Sequence, residues 1–391
     1  MQHLPLTGVR VVEFVHMVMG PTCGLVLADL GADVIKVEPA PDGDNTRRLS
    51  GSGAGFFVMN NRNKRSLAVD LKSPEGHPLV LKLLGTADVL IENFRPGAMD
   101  RLGLGYAELS ARHPRLIYCS CKGFLSGPYE HRVALDEVVQ MMAGLAYMTG
   151  LPGRPLRAGS SVNDIMGGMF GAIGILSALH ERHTTGRGRL VQVGLFENDA
   201  VLVAQHMAQF AVTGKEPPPM SERITAWPVY DIFDVSDGQV FVGVVTDSQW
   251  RVFCEAFCLS ALADDPALTT QRARVDARTR VLPVIADAFR GFTRAELMAR
   301  LESLGLPFAP ISRPVELFDD PHLNNSGGLV PLTLPDGRAT KLPALPLSLD
   351  GARLERRRDI PQIGEHGAEI AAELGYSADQ IAAMRRSGAL V

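Results

Sequence analysis

Gly8-Val-Arg-Val-Val-Glu-Phe14, Gly20-Pro-Thr-Cys-Gly-Leu-Val-Leu-Ala-Asp-Leu-Gly31 and Ala32-Asp-Val-Ile-Lys-Val-Glu38 follow one another closely near the start of the chain. The first and third are β-branched runs of strand length. The second has Pro near its start and Gly at its end, the asymmetry of a helix. A strand, a helix and a strand within about 30 residues form one βαβ unit, with parallel pairing and a right-handed crossover.

The alternation continues outward from this unit. Ser66 to Asp70, Ala87 to Glu92 and Arg115 to Ser120 read as strands, with helical patterns at Ser73 to Leu84 and Tyr106 to Arg112 between them. The expected fold class is therefore α/β, with an open parallel sheet covered on both faces. Ligands of such sheets bind beyond the carboxyl ends of the strands. The loops there are 14–20, 38–57, 93–97 and 120–127.

Leu135 to Met148 has a helix pattern, and a Pro/Gly/Arg-rich turn from Gly150 to Arg157 leads to Gly159-Ser-Ser-Val-Asn-Asp164-Ile-Met-Gly-Gly168. That polar stretch runs into an apolar helical pattern reaching His180, in which Gly167, Gly171 and Gly174 mark a face of close packing. A strand at 190–195 and a helix at 197–212 follow. Thr213-Gly-Lys-Glu-Pro-Pro-Pro219 is linker-like. Beyond it, Tyr230 to Phe233 and Gln239 to Val244 alternate around Ser236-Asp-Gly238, a hairpin signal. The expected division is 1–212 as the first part of a large α/β domain, 213–224 as linker, 225–330 as a small α+β domain, and 331–391 returning to the large domain with two helices.

Composition limits the function classes. The 391 residues are 46% hydrophobic and 21% charged, with a formal net charge of −4, and the length exceeds one ordinary core. No basic block is present, so nucleic acid is not expected as a partner. The N-terminus lacks a basic segment followed by an apolar one, and no apolar run approaches the roughly 20 residues of a bilayer span. The expectation is a cytoplasmic protein without a membrane partner. The five cysteines form no CxxC pair and read as reduced thiols.

Two short motifs fail on context. Gly51-Ser-Gly-Ala-Gly55 neither follows a clear strand nor opens a helix, which a dinucleotide-binding turn must do. His180-Glu-Arg-His183 has a metal-like spacing, but it falls in the last turn of a helix, where His is favoured electrostatically. No metal site is expected. Asp164, where a glycine-rich turn becomes a helix, has two readings: a capping aspartate, or a carboxylate that the positive helix end keeps ionised for chemistry.

Longer blocks choose between those readings. They are Leu25-Val-Leu-Ala-Asp-Leu-Gly-Ala-Asp-Val-Ile-Lys-Val-Glu-Pro39, Asn61-Arg-Asn-Lys-Arg-Ser-Leu-Ala-Val-Asp-Leu-Lys-Ser-Pro-Glu-Gly76, Val89-Leu-Ile-Glu-Asn-Phe-Arg-Pro-Gly-Ala-Met-Asp-Arg-Leu-Gly103, the Asp164 stretch, and Thr185-Gly-Arg-Gly-Arg189. In this order they resemble the class III CoA-transferases, the family of formyl-CoA and carnitine-CoA transferases, from Leu4 to the final helix. The resemblance implies a Rossmann-like large domain built from both chain ends, a small middle domain and an interlocked homodimer. It implies coenzyme A thioesters and carboxylic acids as substrates, with no tightly bound cofactor.

The resemblance also assigns residues. Asp164 stands where the family has its nucleophile, which forms an acyl-aspartyl anhydride and then an aspartyl-CoA thioester. His16, Met17, Val69, Lys72, Asn93, Phe94 and Arg101 stand at CoA-contact positions, and Asp136 at the position of a mid-chain acid. Arg47, Arg48 and Arg157 are candidates for the second carboxylate of a dicarboxylate such as succinate. Two departures stand out. Pro217-Pro-Pro-Met-Ser-Glu-Arg223 replaces a glycine run, and Val133 and Leu135 replace a Lys and a Tyr before the acid. The related 2-methylacyl-CoA racemases have a His at the Leu135 position. That activity and a non-catalytic CoA-binding protein are the alternatives to CoA transfer.

Overall fold

In the computed structural model, which describes residues 4–223 and 225–391, the expected alternation becomes a six-stranded parallel sheet. Its elements in chain order are β1 (Arg10–Phe14), α1 (Met19–Asp29), β2 (Asp33–Pro39), β3 (Lys64–Val69), α2 (Gly76–Leu84), β4 (Val89–Glu92), α3 (Tyr106–Arg112) and β5 (Ile117–Lys122). Then come α4 (Asp136–Ala143), α5 (Leu145–Thr149), α6 (Val162–Thr185), β6 (Leu190–Gly194) and α7 (Leu195–Thr213). The strand order is β3-β2-β1-β4-β5-β6, the Rossmann order, and the chain reverses direction across the sheet between β1 and β4. Such a reversal opens a crevice at the carboxyl ends of those two strands.

Strand residues alternate between two cores, as the pleat requires. Val11 and Ile91 face one core, shared with Leu27 of α1 and Ile175 of α6. Val12 and Leu90 face the other, shared with Leu79 and Leu83 of α2.

A second unit, Glu222–Asp320, is compact by itself. It holds the hairpin of β7 (Val229–Val235) and β8 (Gly238–Val244), with α8 (Asp247–Ala256), α9 (Arg278–Phe289), α10 (Arg294–Ser303) and β9 (Phe308–Pro310). Val235 pairs with Gly238, so the turn is the two residues Ser236 and Asp237. The first unit is the chain up to Ser221 together with Pro321–Val391. Residues 321–330 belong to it, where the sequence put the return at 331. The cause is β10 (Leu329–Thr333), whose Val330 and Leu332 pack with Phe57 and Ile360. Two last helices, α11 (Gly367–Glu373) and α12 (Ala378–Arg386), bring Ile370 and Met384 into the α2 side of the sheet core. Both chain ends thus build one sheet layer.

Two expectations are corrected. The helix expected over Leu135 to Met148 is two, because Gly144 at φ +98° breaks it. And α6, with 24 residues, is long and apolar enough by composition to span a bilayer. Here its small-residue face is packed against α1. A Cβ on Gly168 would lie 2.6 Å from the Met19 carbonyl oxygen and 3.0 Å from the Cys23 nitrogen, so only glycine admits this approach.

Candidate active site

The exits of β1 and β4 are tied together at the crevice. The His16 N–H donates to Asn93 Oδ1 at 3.0 Å, and Asn93 Nδ2 donates back to the His16 carbonyl at 2.8 Å. The His16 and Phe94 rings stack with centroids 5.8 Å apart. Met17 adopts a left-handed backbone, φ +61°, and its N–H donates to Thr46 Oγ1 at 2.9 Å. Lys36, fully buried, holds the base of this arrangement by donating to the Val15 carbonyl at 2.5 Å while pairing with Asp44 at 2.8 Å. Four of the expected CoA contacts, His16, Met17, Asn93 and Phe94, therefore form one cluster at the point where the strand order reverses.

The others lie elsewhere. Lys72 is exposed on the turn after β3. Arg101 is exposed at the end of the short helix Ala98–Arg101. Val69 is corrected as a contact: its side chain is 1% exposed and belongs to the sheet core. Arg47 is corrected as well. It grips Glu38 with two hydrogen bonds of 2.7 and 2.6 Å, donates to the Pro361 carbonyl and lies over the Phe57 ring, which leaves no free fork for a substrate.

Asp164 is the third residue of α6, and the cap is not its task. The Asp136 carboxylate reaches across from α4 and accepts the N–H groups of Asn163 at 3.1 Å and Asp164 at 3.0 Å. Asp136 is 7% exposed and is further held by Gln140 Nε2 and by Arg157 at 3.3 Å. The helix end is thus already occupied by an anion. No hydrogen bond from a described residue reaches the half-buried Asp164 carboxylate. Burial first, and then the charge of Asp136, push its pKa up to about 7, with Arg157 opposing. The expectation that the helix end keeps Asp164 ionised is corrected: its favourable N–H groups serve Asp136 instead.

Sequence reasoning missed two acids. Glu92 ends β4 and is 7% exposed; it accepts from Ser120 Oγ and from the Phe94 N–H at 2.9 Å, fixing the turn that presents Asn93 and Phe94. An acid as the last residue of a buried strand was the available signal. Asp199 on α7 is fully buried, and neither carboxylate oxygen has a hydrogen-bond partner. Burial, then the charge of Asp136, raise its pKa to about 6. In sequence it is one polar residue in an apolar helix, with no sign of its depth.

A nucleophile-like carboxylate next to a Rossmann crevice defines a class of group-transfer site, and comparison gives the class its family. The sequence profile of CoA-transferase family III matches residues 6–367, and the chain belongs to this family. It is 35% identical to the succinate–glutarate CoA-transferase of Agrobacterium fabrum, covering 95% of this chain and 96% of that one. It is 32% identical to the succinyl-CoA–D-citramalate CoA-transferase of Chloroflexus aurantiacus, over 97% of each. The crystal structure of a CAIB/BAIF family protein from Brucella suis superimposes with a TM-score of 0.84 at 35% identity, covering 95% of this chain and all of that one.

Proposed function

We propose that this transferase moves CoA between an acyl-CoA and a dicarboxylic acid, with Asp164 as the covalent carrier. The carrying observation is the Asp164 carboxylate, half-buried, without a hydrogen-bond partner among the described residues and one helical turn before the Gly168 contact with the start of α1. A carboxylate used as nucleophile needs free lone pairs, and a covalent carrier divides one hard exchange into easier steps.

In the first step an Asp164 oxygen attacks the thioester carbonyl; the C–S bond breaks, leaving an acyl-aspartyl anhydride and CoA thiolate. The thiolate then attacks the aspartyl carbonyl and releases the donor acid, leaving an aspartyl-CoA thioester. The acceptor carboxylate reverses both steps. Because Asp136 is committed to two backbone N–H groups and preceded by Leu135, it is a poor second base, which disfavours the racemase reading.

Succinyl-CoA and a short dicarboxylate are the proposed substrates, supported by the printed activities of the relatives. Arg157 is the proposed reader of the distal carboxylate, since it acts on Asp164 and its side chain is 32% exposed. His16, Met17, Asn93 and Phe94 are proposed to line the CoA site, with Lys72 and Arg101 reaching its phosphates.

The reading includes a homodimer. Its support is the apolar surface left open on α7 and α6: Met207 is 62% exposed, Val212 85% and Ile173 54%. It also includes a cytoplasmic setting, consistent with five free cysteines.

The test is to incubate the protein with succinyl-CoA, quench with borohydride or hydroxylamine, and sequence the modified peptide by mass spectrometry. Modification at Asp164 is expected, with loss of at least about a thousandfold in turnover for Asp164→Ala. Full activity of that variant defeats the mechanism. For Arg157→Gln, KM for succinate is expected to rise about tenfold while KM for a monocarboxylate stays put.

A further inference from the structure

The carboxyl edge of the sheet carries the chemistry described above; the amino edge carries an unassigned cavity of about 260 Å³. Arg10 and Asp33, which begin β1 and β2 in register, stand on its wall beside Arg65 of β3. Arg357 and Arg358, from the loop before α11, complete it. We propose that this cavity is a second anion site, for a small oxyanion carrying two or more negative charges.

The charge count favours an anion. Arg10 and Arg65 share Asp33 and Glu373, and Arg65 also reaches Glu369. Arg357 donates instead to the carbonyls of Ala28 and Ala32, and among the described residues it makes no ion pair. The Arg358 side chain has no hydrogen-bond or ion-pair partner among them. Four guanidinium groups therefore face three carboxylates, and the two without an acid are neighbours.

Their placement is built. Asn63 Oδ1 accepts the N–H groups of Arg357 at 2.6 Å and Arg358 at 2.8 Å, and the Asn63 N–H donates to the Arg358 carbonyl at 3.1 Å. Asn63 is itself held by Asp29 at 2.8 Å. The Arg-Arg pair is thus clamped to the start of β3 from below. Guanidinium forks suit planar carboxylates and phosphates. The volume lies below the usual range for drug-sized ligands, which favours a pyrophosphate-sized or tricarboxylate-sized guest over a nucleotide.

The test is calorimetric titration of the full-length protein with inorganic pyrophosphate and with citrate at fixed ionic strength, with and without saturating CoA. Saturable binding of about one anion per chain, unaffected by CoA, is expected, and the tighter probe names the chemistry. Arg358→Gln is expected to weaken it about tenfold, with an unchanged unfolding midpoint because that side chain has no partner to lose. Arg357→Gln/Arg358→Gln should abolish it. Competition by CoA, or equal affinity in Arg358→Gln, overturns the proposal, and neither outcome touches the assignment of Asp164.

Discussion

Under the β1–β2–β3 half of the sheet, buried acids are each matched to a cation: Glu13 to Lys64 at 2.8 Å, Asp44 to Lys36 at 2.8 Å and Glu38 to Arg47 at 2.6 Å. At the start of α6, by contrast, Asp136, Asp164 and the nearby Asp199 have one cation, Arg157, among them. Burial alone pushes Glu38 and Asp44 upward, but their cations and hydrogen bonds outweigh it and hold both below the ordinary range. The same burial, unopposed and joined by a like charge, pushes Asp164 up to about 7. The first region uses its charges to hold loops; the second leaves one carboxylate unsatisfied and so available for attack.

Breaking a matched pair is expected to have the largest effect on stability. Arg47→Met leaves Glu38 buried and uncompensated and should cost about 3–5 kcal/mol. Urea unfolding with a two-state fit measures it, and a loss below about 1 kcal/mol would mean that the pair is not buried as described.

Asp164→Asn should act in the opposite direction. The folded pKa is raised from 3.8 to about 7, so the folded state holds this proton more tightly than the unfolded chain. Ionising it begins to cost stability above the unfolded value, and the cost is complete above about pH 7. The variant is therefore expected to be more stable than the parent at pH 8, on the order of 2 kcal/mol after allowance for solvent screening, and equal to it near pH 4. Thermal unfolding at the two pH values decides; a destabilised variant at pH 8 would contradict the account. Glu38 and Asp44 slope the other way, contributing stability at neutral pH that is lost as acid protonates them.

The smallest effect sharpens the comparison at the nucleophile itself. kcat/KM should rise with pH along one limb centred near 7, where Asp164 of the free enzyme loses its proton. Asp136→Asn keeps an oxygen for the helix N–H groups but removes the like charge, so the limb should move about one unit toward acid. A limb that stays in place would show that burial alone sets it.

Much of the frame was legible. The βαβ unit of residues 8–38, the hairpin at Ser236-Asp-Gly238 and the final helices at 367–373 and 378–386 follow from periodicity and turn chemistry, which are local. The site was legible in part. Asp164 stood out by its setting, and the family resemblance gave it a role. Arg47 and Val69 were misplaced because a surface arginine and a guanidinium bound to Glu38 look alike in sequence, as do a pocket wall and a core valine.

By itself, the sequence determined which segments alternate, which stretch meets a helix start, and which residue types were available there. Only the tertiary structure decided that Asp136, 28 residues before Asp164, supplies the cap, because its oxygen accepts the Asp164 N–H across two helices. That contact takes the helix end for one acid and sets the proton affinity of the other. Sequence spacing carries no record of it, since burial and Coulomb energy depend on distance through space.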